Sequence, residues 1–182
     1  MRLAGRSLLL AGVHLALLLS LGGKLLVDRA TRPRGWFRAA PVDPMLPVRG
    51  RYVALALEVP LRGAAPASAL TPPRPGLFGS RSFPVRLEAD GGIHAVAAPA
   101  DSRGPDLHWA TLPDAALALP EDRRYVRISE GMAFFFPATA RDPSLRPAGE
   151  ELWVEATLPR RGPLRPIRLG VKKDGELRPW KP

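Results

Sequence analysis

The chain has 182 residues, 46% of them apolar, which leaves room for one hydrophobic anchor and one domain of roughly 140–150 residues. It contains no cysteine, so disulfides, thiolate nucleophiles and cysteine-based zinc or iron–sulfur sites are excluded. The formal net charge is +10, nearly all of it from arginines that are scattered rather than gathered into a nucleic-acid footprint, so nucleic acid is not an expected partner.

From Ser7 to Gly23 the chain carries no charged residue and is dominated by leucine, as in Leu8-Leu9-Leu10 and Leu17-Leu18-Leu19. Leu25, Leu26 and Val27 extend this run if the Lys24 stem lies along it and its ammonium reaches the interface. Residues 1–27 therefore read as a membrane anchor whose partner is the lipid bilayer. The competing reading is a cleaved signal peptide, for which Ser20–Gly22 offers the best small-residue site. Arg2 and Arg6 precede the run, while Lys24, Arg29, Arg32, Arg34 and Arg38 follow it. The following charges oppose an inside N-terminus under the positive-inside rule, yet a single N-terminal span usually translocates a long following domain regardless. The expected place is the bacterial inner (plasma) membrane, crossed once, with the C-terminal domain on the periplasmic side. An arginine-, alanine- and proline-rich composition of this kind is typical of a GC-rich bacterial genome. His14 lies inside the run without a companion acid or lysine and reads as a tolerated or packed residue.

Residues 28–41 read as a basic linker punctuated by proline and glycine, with Trp36-Phe37 as an interfacial aromatic pair. The first folded signal is 51–59, where Val53, Leu55, Leu57 and Val59 alternate with Tyr52, Ala54, Ala56 and Glu58, the period of a half-buried strand. The proline-rich stretches 60–84 and 137–147 are expected to be irregular. Strands at 84–88 and 93–97 flank Asp90-Gly91-Gly92, a strong hairpin signal. Residues 107–119 have near-helical apolar spacing cut by Pro113 and Pro120. Further strands are expected at 124–129, at Phe134–Phe136 as a buried run, at 151–158 and at 166–171, the last followed by a turn at 173–176. Many short strands with no long helix after the anchor predict a mainly β protein: an N-terminal transmembrane helix, then a small antiparallel β sandwich or barrel-like domain over 42–180.

The stretch Asp43-Pro44-Met45-Leu46-Pro47-Val48-Arg49-Gly50-Arg51-Tyr52-Val53-Ala54-Leu55-Ala56-Leu57 resembles the signature of the GDYXXLXY family. Asp43, Pro44, Gly50, Tyr52 and Leu55 match its pattern, while Arg51 stands in place of the Asp and Leu57 in place of the final Tyr. Tyr125–Gly131, with its Glu130-Gly131 pair, and 161–175 resemble later features of the same family. The resemblance implies a membrane-anchored bacterial protein of unknown biochemical role, associated with a multispanning membrane protein. It transfers no role for the missing carboxylate to Arg51.

Asp43-Pro44-Met45-Leu46-Pro47 followed by Gly50 also resembles the nucleophile loop of membrane-anchored signal peptidases. That chemistry needs a serine beside a desolvated lysine; here Pro44 occupies the serine's place, and no lysine lies between Lys24 and Lys172. A Ser–His–Asp triad would draw on His94 or His108 with Ser80, Ser82 or Ser102, but no Gly-x-Ser-x-Gly elbow supports it. Both histidines read as surface or satisfied core residues. No metal-ligand spacing and no phosphate-binding glycine pattern occurs, so neither metal nor cofactor is expected. The expected function is that of a non-enzymatic, membrane-anchored accessory or envelope-binding domain, with an envelope enzyme shaped like a signal peptidase as the alternative.

Overall fold

The computed structural model describes residues 2–42, 52–70, 82–137 and 139–181, with side chains from Ser7 onward. It divides into two compact units, 1–32 and 33–182. The first is a single helix, α1 (Arg2–Thr31). Its 25-residue part Ser7–Thr31 is long and apolar enough to cross a membrane, and none of it is buried. At 1.5 Å per residue such a helix spans about 37 Å, more than the roughly 30 Å hydrocarbon core. Its length and composition are compatible with a single-pass anchor or a signal sequence. His14 donates from Nδ1 to the carbonyl of Leu10 at 2.8 Å, which satisfies one imidazole nitrogen within its own helix.

The second unit is built almost wholly of strands: β1 (Arg34–Val42), β2 (Tyr52–Arg62), β3 (Ser82–Ala89), β4 (Ile93–Ala97), β5 (Leu107–Thr111), β6 (Tyr125–Ile128), β7 (Met132–Phe135), β8 (Glu150–Thr157), β9 (Arg165–Lys173) and β10 (Glu176–Pro179). Two four-residue helices, α2 (Ala67–Leu70) and α3 (Asp114–Leu117), lie between strands. The chain is mainly β, as its strand periodicities predict.

β2 organises the sheet. Its first half pairs with β1 on one side (Ala54 to Glu58) and β7 on the other (Tyr52 to Leu55). Its second half pairs with β6 through Glu58, Val59 and Pro60, and with β4 through Leu61 and Arg62. The ring β2–β4–β3–β5–β6 thereby closes into a five-stranded barrel, and β1, β8, β9 and β10 continue outward as an open sheet. The pairings are antiparallel except β2–β4, where two residues on each strand run parallel. Pro60 fits this exchange of neighbours. The N–H of Leu61 donates towards β6, to the carbonyl of Arg124 at 2.9 Å. Successive amides in a strand point to opposite edges, so the donor that Pro60 lacks would face the other edge. That edge is the gap between the end of β1 and the start of β4, where no ladder needs it.

One contiguous core runs through barrel and sheet. Val53, Leu55, Leu57, Val59 and Leu61 alternate along β2 and are all buried, the period-two face that the sequence announces. Phe37 and Ala39 of β1, Val85 of β3, Val126 of β6, Val154 of β8 and Leu169 of β9 join them. Gly35 makes room for Phe37: a Cβ there would stand 2.9 Å from the phenyl ring.

Several expectations are corrected. Residues 28–41 are not a linker, because α1 continues to Thr31 and Arg34–Val42 is a central strand. Trp36-Phe37 is not an interfacial pair either, since Phe37 is in the core. Pro60 and Pro84 lie within β2 and β3 rather than in irregular chain. Residues 107–119 form a strand and one helical turn. Phe134–Phe136 is not uniformly buried: Phe135 is 63% exposed while Phe136 is in the core.

Candidate functional site

The face of the sheet turned away from the core is polar, and the register lines its charges up in a row. Trp153 of β8 stands opposite Arg38 of β1, Arg38 opposite Glu58 of β2, and Glu58 opposite Arg127 of β6. Glu58, whose side chain is 7% exposed, meets Arg127 Nη2 at 2.8 Å and Arg38 Nη1 at 3.7 Å. Arg38 also reaches Glu151 at 3.3 Å, and Glu151 accepts from the indole N–H of Trp153 at 3.1 Å. A buried carboxylate flanked by two guanidiniums keeps its charge compensated, which is the condition for burying it at all.

Beside this row two indoles carry cations. The Arg168 guanidinium lies 5.4 Å from the Trp36 ring centre and the Lys172 ammonium 4.8 Å from that of Trp153, both within cation–π range. Arg168 is held by Glu155 at 2.6 Å. The Trp36 ring extends across β8 to the backbone of β9, where Gly170 admits it: a Cβ on Gly170 would come within 2.7 Å of the ring. Trp36, Arg38, Glu58 and Trp153, with Asp122, Arg124 and Tyr125 from the chain leading into β6, border an open cleft of about 430 Å³. Sequence reasoning misses this cleft, because Trp36 and Arg38 fall in a stretch with the composition of a linker and Glu58 reads as an ordinary solvent-facing strand residue.

The two domain histidines are both buried. His108 of β5 donates from Nδ1 to Glu130 at 2.7 Å. The carboxylate orients the imidazole, and no hydroxyl among the described residues is hydrogen-bonded to it. His94 of β4 bonds through Nδ1 to the carbonyl of Gly92 at 3.1 Å. Its Nε2 is buried without a hydrogen-bond partner among the described residues and faces Glu88 at 3.8 Å. Among the described residues no group of three or more histidine or carboxylate side chains is placed to hold a metal ion.

Of the residues singled out by family resemblance, Asp43, Pro44 and Gly50 lie outside the described residues, as does Ser80. The structure brings the others to one strand pair. Tyr52 and Leu55 sit on β2, and Glu130-Gly131 is the turn that delivers β7 onto it, so Leu55 faces Met132 and Tyr52 faces Phe135. The rings of Tyr52 and Phe135 are 5.8 Å apart and tilted by 42°. Leu55 is fully buried; its role is in the core. No family model, no curated protein and no solved structure matches this chain.

Proposed function

We propose that this protein is a non-enzymatic, single-pass membrane protein whose β domain lies on the periplasmic side of a bacterial inner membrane, as an accessory to a multispanning membrane protein. The observation that carries this reading is the organisation of the chain. An uncovered apolar helix of 25 residues is followed, after only Arg32 and Pro33, by the first strand of a domain with its own closed core. So short a tether confines the domain to the neighbourhood of the bilayer, where a high effective concentration lets modest contacts suffice. The GDYXXLXY resemblance, carried on the described residues by Tyr52, Leu55, Glu130 and Gly131, points the same way.

The polar cleft supports binding over catalysis. Two of its three carboxylates, Glu58 and Glu151, are engaged by Arg38, Arg127 and the Trp153 indole, while Asp122 stands at its border, the arrangement of a rigid recognition surface. A general base needs hydrogen-bond access to a substrate proton instead. The test is mild crosslinking of the full chain in native membranes, then affinity purification and mass spectrometry. The reading predicts stoichiometric recovery of one multispanning membrane protein, lost when 33–182 is deleted and the helix retained. Recovery of the protein alone, or of a mature form lacking the helix, overturns it.

A further inference from the structure

Three segments far apart in sequence meet at the end of the domain where β1 begins. The turn between β8 and β9 is tied to the start of β1 by a hydrogen bond from Leu158 N–H to the carbonyl of Pro33 at 3.0 Å. The same turn is tied to the loop between β4 and β5 by one from Gly162 N–H to the carbonyl of Pro105 at 3.1 Å. The register brings Arg34, Thr157 and Arg165 side by side on three strands. These segments carry Arg34, Arg103, Arg160, Arg161 and Arg165. Their acids are Asp101 and Asp106, and Asp106 is engaged by Arg86 at 3.4 Å. Arg103, Arg160 and Arg161 are exposed and make no ion pair with a described residue.

Arg103, Arg160 and Arg161 add positive charge here with no ion pair among the described residues, which costs self-repulsion. Its place in the chain supplies a use. Arg34 follows the helix by two intervening residues, so a chain of that length holds this end within about 10 Å of the helix terminus whatever the angle between the two units. We propose that this arginine-rich end is a second membrane contact, docking on the phosphates of anionic phospholipid headgroups and fixing the orientation of the domain on the bilayer. The inference rests on the anchored reading above and adds to it a surface, a ligand chemistry and an orientation. Arginine suits the task, because its planar fork meets phosphate oxygens in bidentate fashion and is more weakly hydrated than an ammonium.

The experiment uses the full chain in lipid nanodiscs. Because the protein has no cysteine, Pro163→Cys provides a single labelling site on the exposed turn. A donor dye there reports energy transfer to an acceptor on the headgroups. Transfer is expected to be higher in discs of phosphatidylcholine with a third phosphatidylglycerol than in phosphatidylcholine alone. The increase is expected to vanish near 1 M salt, where the Debye length is about 3 Å. Each arginine near an anionic surface contributes about fivefold to the docked-to-undocked ratio, so Arg103→Gln/Arg160→Gln/Arg161→Gln lowers it on the order of a hundredfold. The corresponding triple lysine variant, which keeps the charges, retains most of the docking, and unchanged circular dichroism in both variants excludes unfolding as the cause. Equal transfer in the two lipids, or indifference to the glutamine variant, overturns the docking surface while leaving the anchor standing. Failure of the full chain to enter the discs at all overturns the anchored reading, and this inference with it.

Discussion

Replacing Glu58 by glutamine tests whether the charged row is a coupled unit. The substitution keeps the shape and removes the charge that Arg38 and Arg127 share. Breaking a fully buried ion pair costs about 3–5 kcal/mol, and a hydrogen bond to a charged group is worth about 1.5–3 kcal/mol. Here the carboxylate is buried, but the two arginines are 51% and 39% exposed and water can compensate them. The lower range therefore applies, and Glu58→Gln is expected to cost about 2 kcal/mol. Arg127→Gln is expected to cost about 1 kcal/mol, because Glu58 keeps Arg38. The double variant should reveal a coupling of about 1 kcal/mol. The assay is urea unfolding of the full chain in a mild non-ionic detergent, followed by tryptophan fluorescence; Trp36 and Trp153 lie beside the row and report its loss. Urea rather than guanidinium leaves the ion pairs unscreened. A cost below about 0.5 kcal/mol for Glu58→Gln, the scatter of ordinary surface substitutions, or a coupling indistinguishable from zero, would refute the reasoning.

Gly170→Ala drives a Cβ into the Trp36 ring and to 3.2 Å from the Arg178 carbonyl; a loss of about 1–3 kcal/mol with a red-shifted tryptophan emission is expected, and an unshifted spectrum would contradict the packing described. Leu55→Ala, at a fully buried position, is expected to cost about 2–5 kcal/mol. Tyr52→Ala, at a half-buried one whose ring packs on Phe135, should cost about half as much; urea midpoints at unchanged m-value rank the two. At the end of the β9–β10 hairpin, the hydrogen bond from Arg178 to Glu176 at 2.7 Å, and then its charge, lower the Glu176 carboxyl pKa. A depressed folded value means that this pair's contribution to stability is present above the ordinary glutamate range and lost as pH falls through the lowered value. Carbon-13 NMR titration of the Glu176 carboxyl should show its midpoint below that range in the native chain and inside it in Arg178→Ala.

The strands that the sequence reveals are those with one face buried and the other in water. β2 shows its five-residue apolar face in plain alternation, β8 does the same, and Asp90-Gly91-Gly92 marks the β3–β4 hairpin. The Asp174-Gly175 turn joins β9 to β10 with both residues at positive φ, the geometry a two-residue hairpin demands. β1 was hidden because arginines and prolines interrupt it: Arg34 and Arg38 project onto a polar face, so the segment has the composition of a loop. The candidate cleft was illegible for a related reason. Arg38, Glu58, Arg127 and Trp153 lie on four strands, and only the register places them in one row. Closure through two parallel residue pairs between β2 and β4 is a still weaker signal, since nothing local to Leu61-Arg62 or Ala95-Val96 distinguishes that edge from any other.

The position of Glu58 gives the charged row a meaning beyond its energy. On one edge of β2, the ladder to β1 ends at Glu58 and the ladder to β4 begins three residues later; on the other, the ladder to β7 ends at Leu55 and that to β6 begins at Glu58. Here the strand passes from open sheet to barrel, and backbone hydrogen bonding alone does not specify which partner takes over at which residue. A slip of one residue would turn the Glu58 carboxylate into the core and Leu57 or Val59 out of it. The penalty for a buried, unpaired charge is several kcal/mol, larger than any gain from an alternative ladder of two or three residues. Cross-strand arginines on β1 and β6 satisfy the carboxylate in one register only. If that is its role, replacing the whole triad by apolar residues, Arg38→Met/Glu58→Leu/Arg127→Met, would not simply weaken the fold. It would retain or raise the urea midpoint, as apolar replacement of buried ion pairs often does, while loosening the β2–β6 register, seen as faster hydrogen exchange at Leu61 and Val126 than in the native chain. Native-like exchange at both amides would show that the apolar face of β2 sets the register unaided.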